Sequence, residues 1–122
     1  MYGNGAAIAV CPHSTWDYPH DARGIIQHEA GGHGWGKFDD EYIYHRALIQ
    51  TCPCLCCGHE DDVKAMHAMG WGRNLSLDGK YKNVPWTHLI FDPRYGDIVD
   101  IYEGGHMHSN GIYRSEINSC MN

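Results

Sequence analysis

Aliphatic side chains and long apolar runs are what this chain has least of. Leu, Ile, Val and Phe together supply 21 of 122 residues, below the roughly 20 % at which a highly charged chain is expected to stay unfolded. The net charge is only −6, and four Trp and eight Tyr add apolar area. The expectation is therefore a folded single domain with a thin core. Such a core calls for a staple: a metal ion, disulfides or further chain. No apolar run approaches the roughly 18 residues of a transmembrane helix, so no membrane span is expected. Basic charge is scarce as well. With 9 Lys and Arg against 15 Asp and Glu, and no basic stripe, nucleic acid and anionic membrane surfaces are not expected partners.

His and Cys are abundant instead. Ten His outnumber Lys and Arg combined, which makes metal the first chemistry to consider. The six Cys, at positions 11, 52, 54, 56, 57 and 120, suit an oxidising compartment. Met1-Tyr2-Gly3-Asn4-Gly5 has neither the positive start nor the apolar stretch of a signal peptide. Together these features lead to the expectation of a fragment of a longer secreted or cell-surface protein. In Cys52-Pro53-Cys54-Leu55-Cys56-Cys57, with His59 close by, the one-residue gaps fit zinc poorly. Disulfides within the cluster, or out to Cys11 and Cys120, are the expectation, and a second, structural zinc is the alternative.

Along the chain, Ala6–Val10 reads as a strand. Asp21 is a candidate N-cap for a helix that runs through Ile25, Ile26, His28, Glu29 and His33 and stops at Gly34 and Gly36. Glu41–Gln50 reads as a second helix. Glu60–Met69, with apolar Val63, Met66 and Met69, reads as a short amphipathic one. Residues 71–97 look like long irregular loops, broken by a brief strand at Thr87–Phe91, and Ile98–Tyr102 alternates like another strand. The tail from Gly104 to Asn122 is polar and spotted with Gly. The fold class is α+β, one loop-rich domain over 1–122.

The informative stretch is His28-Glu29-Ala30-Gly31-Gly32-His33-Gly34-Trp35-Gly36-Lys37-Phe38-Asp39-Asp40-Glu41-Tyr42. A zinc hydrolase needs two imidazoles aimed at one point and a carboxylate that can reach the activated water. HExxH achieves this because residues i and i+4 share a helix face. Here the two His are i and i+5, which on a regular α-helix sets them roughly 140° apart. A π-bulge absorbs one extra residue and returns both to one face, and Ala30-Gly31-Gly32 is pliant enough to accept it. Gly36 and Asp39 then reproduce the turn and third-ligand spacing of HExxHxxGxxH, with Asp in place of the last His. Asp40 and Glu41 offer further carboxylates. The plainer alternative is a helix end with solvated acidic residues and two incidental His.

With these residues the chain resembles the IgA-peptidase-type zinc metallopeptidases, a metzincin-like family abundant in Bacteroides-like gut bacteria. Phe38-Asp39-Asp40-Glu41-Tyr42 is similar to the family's Leu/Phe-x-Asp-Glu-Tyr element. Tyr102-Glu103-Gly104-Gly105 and Gly111-Ile112-Tyr113-Arg114-Ser115 resemble its Glu-Gly and Gly-x-Tyr-Arg segments. Asn118-Ser119-Cys120-Met121 resembles its terminal Ser/Cys-x-Met element.

The resemblance implies a metzincin-like catalytic core binding one Zn²⁺, with His28 and His33 as ligands and Glu29 as general base and acid. It selects Asp40 as third ligand, with Asp39, favoured by spacing alone, as the alternate. Met121 corresponds to the Met-turn residue, a soft apolar floor beneath the metal. Tyr113 or His108 is a candidate for oxyanion stabilisation, and Ala6–Val10 for an edge strand that pairs with substrate; the resemblance also implies a core truncated at both ends here. Trp35, next to the site, is a candidate for a cleft wall or equally for core packing. The implied activity is hydrolysis of peptide bonds in an extracellular protein or glycoprotein. Two rivals are a non-catalytic zinc-binding module, for which Glu29 is dispensable, and a disulfide-stapled binding domain without metal. His106-Met107-His108 reads as plain loop residues, and the remaining His as surface or packing residues.

Overall fold

A computed structural model of the protein describes residues 22–43 and 59–122. The expected strand at Ala6–Val10, the Asp21 cap, most of the Glu41–Gln50 helix and five of the six Cys lie outside the described residues. The architecture is α+β. In chain order it comprises α1 (Ala22–Ile26), a π-helix (Gln27–Gly36), α2 (His59–Ala68), β1 (Leu75–Ser76), α3 (Thr87–Ile90), β2 (Tyr102–Gly105) and β3 (His108–Arg114).

The helix that carries His28 and His33 is π-wound over ten residues rather than interrupted by one bulge. It ends where Lys37 adopts the left-handed conformation (φ 57°) and donates its backbone N–H to Gly32 O. Phe38 N–H shares the same carbonyl at 3.0 Å. Met121 packs against this helix at Gly32. A Cβ on Gly32 would overlap the Met121 Sδ and lie 2.8 Å from its Cε, so only glycine admits that side chain here.

The three strands form an antiparallel sheet in the order β1-β3-β2. β3 is central: Arg114 stands opposite Leu75 on one side and Tyr102 on the other. The tail that reads as polar and irregular therefore contributes the middle strand, because pairing on both edges compensates for its single strongly apolar residue, Ile112. β2 is bulged between Glu103 and Gly105. At Gly104 (φ 113°) a Cβ would overlap the Ile43 side chain and lie 2.8 Å from Arg114 Nη1. The buried Arg114 guanidinium donates to the carbonyls of Gly104 (2.8 Å) and Glu116 (2.9 Å), so its charge is solvated by the backbone.

Among the described residues two small clusters make the core, in keeping with the scarcity of aliphatic residues. Val63 of α2 meets Leu75 and Ile112, flanked by Met66 and Leu77. Val84, Trp86 and Val99 form the second, flanked by Leu89, Ile90 and Ile101, with Trp86 Nε1–H donating to Asp100 O at 2.9 Å. The helix expected at 60–69 is α2, although Met69 lies past its end and is exposed. Three local expectations are corrected. Thr87–Ile90 is a helical turn, because Leu89 and Ile90 N–H both reach back to Trp86 O. Residues 98–101 are not a strand: Ile98 and Val99 N–H turn back onto Tyr95 O, and the strand begins at Tyr102. Glu41–Ile43 is extended rather than helical, and Ile43 bridges Met107. Among the described residues no helix is long and apolar enough to cross a membrane.

Candidate metal centre

The π-helix solves the i,i+5 problem by its own geometry. With i→i+5 hydrogen bonds, residue 33 returns nearly above residue 28, and the two imidazoles meet edge to face with ring centroids 4.8 Å apart. Each ring is held from behind. His28 Nδ1–H donates to Cys120 O at 2.8 Å, and His33 Nδ1–H donates to Phe38 O at 2.8 Å. A carbonyl can only accept, so both protons sit on Nδ1. In the neutral rings each Nε2 is then a bare lone pair.

Both Nε2 atoms face one carboxylate oxygen. Asp40 Oδ1 lies 3.1 Å from His28 Nε2 and 3.2 Å from His33 Nε2. It is buried, yet accepts no hydrogen bond. Its sister oxygen Oδ2 accepts from the Tyr42 hydroxyl at 3.0 Å. Three acceptors thus converge with no donor between them. The three ligand atoms all lie within 4.8 Å of one another, and His28, His33 and Asp40 are the only such trio among the described residues.

The run Asp39-Asp40-Glu41 splits three ways, because an extended chain turns successive side chains to different faces. Asp39 points away from the imidazoles: its Oδ2 takes the His106 Nδ1–H at 2.6 Å, and its backbone is bracketed by Asn74 through both N–H (2.9 Å) and C=O (2.8 Å). The bond to Asp39 holds the His106 imidazole above its ordinary pKa, against burial. Glu41 turns inward, 2 % exposed, and accepts from Asn74 Nδ2 at 2.9 Å and from the Ser119 hydroxyl at 2.5 Å. Burial pushes its carboxyl above the usual range, opposed by those two bonds. His106 and Met107 both adopt positive φ (47° and 66°), which aims their N–H groups at Asp40 O (2.8 Å) and Tyr42 O (3.1 Å).

The structure therefore brings together His28, His33 and Asp40, with Asp40 rather than Asp39 at the two imidazoles. Met121 lies against Gly32 beneath them. Comparison with protein-family models, curated proteins and solved structures finds no match in any of the three. Glu29 is half-buried on the same π-helix. Tyr113 packs against Gly79 on β3, and the His108 ring stacks on His106 at 6.0 Å, so both stand outside the converging trio. Trp35 is 89 % exposed, which removes core packing from its possible roles. Cys120 is exposed and, among the described residues, has a free thiol; the other five Cys of the expected disulfides lie outside them.

Sequence reasoning misses Asn74, reads His106 as a loop residue and notes Ser119 only within the terminal Ser/Cys-x-Met element. No local pattern joins Asn74 to Asp39 or Ser119 to Glu41, which are 35 and 78 residues apart. His106 follows a Gly-Gly turn beside a second His, and that signal also fits an ordinary loop.

Proposed function

We propose that this chain is the catalytic core of a zinc-dependent metalloendopeptidase of the IgA-peptidase type, with a metzincin-like fold, acting on extracellular protein or glycoprotein. The observation that carries this reading is the buried Asp40 Oδ1, which faces the Nε2 atoms of both imidazoles and, with the rings neutral, meets two lone pairs and no donor. Such an arrangement is repulsive without a cation and costs several kcal/mol of unsatisfied desolvation in general. The separations also suit zinc. Bonds of roughly 2.0 Å in tetrahedral array put ligand atoms about 3.3 Å apart, against the 3.1 and 3.2 Å found here. Two His and one carboxylate leave a fourth position for water, as catalytic rather than structural zinc sites do.

When bound, zinc supplies Lewis acidity that lowers the pKa of water to about 7 and polarises a scissile carbonyl. The chain's own residues do the rest. Cys120 O and Phe38 O keep the two rings in the Nδ1–H tautomer, so that Nε2 stays free to bind. Glu29, next to His28, carries the proton, taking it from the attacking water and returning it to the leaving amine. A cavity of about 270 Å³ shares Phe38, Cys120 and Met121 with the surroundings of the imidazoles and is walled by Leu89 and Trp86. It fits an apolar substrate side chain, and exposed Trp35 offers a further apolar surface.

The test is metal content of protein purified without added metal, for wild type, His33→Ala and Glu29→Gln, followed by a peptide-cleavage screen. The expected result is about one zinc per wild-type chain, lost in His33→Ala and kept in Glu29→Gln. Glu29→Gln should lower cleavage by roughly 10²–10⁴-fold. A zinc-free wild type refutes the metal centre. Zinc retention with cleavage indifferent to Glu29 refutes the peptidase and leaves a zinc-binding module.

A further inference from the structure

Two backbone carbonyls orient the imidazoles, and one of them belongs to Cys120, in a segment far along the chain from the π-helix. What holds that carbonyl in place is not Cys120 itself but its neighbours. Ser119 hydroxyl donates to Glu41 Oε2 at 2.5 Å. Met121 N–H donates to Ser119 Oγ at 3.1 Å. Glu41 N–H donates to Met121 O at 2.7 Å. Residue 120 is thus gripped on both sides by one residue, Glu41, through its side chain and its backbone. The other carboxylate oxygen of Glu41 is tied to Asn74, which also brackets the backbone of Asp39. Asp40 lies between these two anchored neighbours. A single buried node therefore sets both the position of the Asp40 carboxylate and the position of the carbonyl that orients His28.

We propose that Glu41 and Ser119 are positioning residues for the metal centre, joining the Asp40 segment to the Ser119–Met121 turn so that Asp40 Oδ1 and His28 Nε2 are pre-set at chelating distance. The inference rests on the zinc reading above and adds to it two residues that do not reach the metal but hold the groups that do. The hydrogen bonds, not the charge of Glu41, are the operative feature. A Gln at 41 accepts from Asn74 through its oxygen and donates to Ser119 Oγ through its amide, so it keeps the node intact. An Ala at 119 removes the link to Glu41 and the acceptor for Met121 N–H together.

The experiment measures zinc affinity by competition with a chromophoric chelator, and the visible spectrum of the Co²⁺-substituted protein, for wild type, Ser119→Ala, Ser119→Thr and Glu41→Gln. Ser119→Ala should bind zinc roughly 10–100-fold more weakly, the usual effect of losing a residue that orients a ligand. Its Co²⁺ bands should change in position or intensity, which a purely structural loss of stability would not cause in the folded fraction. Ser119→Thr and Glu41→Gln should stay within about threefold of wild type, with its spectrum. Asn74→Ala cuts Glu41 from the other side and carries the same expectation as Ser119→Ala should that variant not fold. In metal-free wild type the His28 Nδ1–H proton should be visible by NMR and slow to exchange, and Ser119→Ala should hasten its exchange. Unchanged affinity and spectrum in Ser119→Ala or Asn74→Ala overturn the inference while the zinc reading stands. Loss of affinity in Glu41→Gln as large as in Ser119→Ala overturns it too, since charge would then be what matters. A wild type that takes up neither ion overturns both.

Discussion

Gly31 and Gly32 are neighbours in the π-helix, yet the same substitution should move stability in opposite directions at the two positions. A Cβ on Gly31 meets nothing within 4 Å. Gly31→Ala therefore acts mainly by restricting the unfolded chain and favouring helix, worth about 0.4–1 kcal/mol of added stability. A Cβ on Gly32 overlaps the Met121 Sδ and comes within 2.8 Å of Cε. Met121 is 2 % exposed and borders the cavity described above, so a methyl at position 32 forces it off its contact with the helix and into that space. Overpacking of this kind costs about 1–3 kcal/mol, and the helix gain offsets only part, leaving Gly32→Ala about 0.5–2 kcal/mol less stable. For a domain of this size each kcal/mol shifts Tm by roughly 4 °C. The assay is thermal and urea unfolding of chelator-treated wild type and the two variants, so that metal binding does not add to the folded state. Two stabilised variants, or a Gly32→Ala indistinguishable from Gly31→Ala, would refute the placement of Met121 against the helix and with it the floor of the metal centre.

Leu75→Ala empties the middle of the first core cluster, where Leu75 is fully buried, and should lose about 2–5 kcal/mol in urea unfolding; a loss under 1 kcal/mol would mean that β1 is not core. Stability should also depend on pH through His106. Its hydrogen bond to Asp39, opposed by burial and helped by the charges of Asp39, Asp62 and Asp40, raises the folded pKa above the ordinary 6.5. The contribution is complete below the unfolded pKa and is lost as pH rises through the folded one. In metal-free protein, wild type should lose stability over that range relative to His106→Asn; parallel stability–pH curves for the two would refute the pairing. Glu41, whose carboxyl burial raises, has the same sign at lower pH. Wild type should lose stability as pH climbs from about 4.5, and Glu41→Gln should flatten that slope; an unchanged slope would refute the burial effect.

Local spacing carried much of the centre. The i,i+5 His pair and the Gly31-Gly32 doublet point to a π-wound turn, because no α-helix can aim residues 28 and 33 at one ion. The length of that winding was not legible, since it depends on Met121 filling the space beside Gly32. The acidic run at 39–41 shows that a carboxylate is near, but not which one. Asn74, 35 residues on, brackets Asp39, and His106, 67 residues on, takes its side chain. Those distant contacts leave Asp40 facing the imidazoles.

Strand β3 shows the same limit from the other side. His108–Arg114 has one strongly apolar residue and reads as a polar tail, but the sheet places it between β1 and β2, where ladder hydrogen bonds on both edges replace side-chain hydrophobicity. Amphipathic α2 was readable because its periodicity is local. From sequence come the helix pattern, the poverty of the core, the pair of His on a pliable turn and a neighbouring carboxylate, all set by residues within a few positions of one another. The tertiary structure alone decided which carboxylate faces them, what holds the His28 ring, and that Glu41 ties the two halves together. Those outcomes depend on hydrogen bonds between segments 35 to 92 residues apart, a separation that no local pattern encodes.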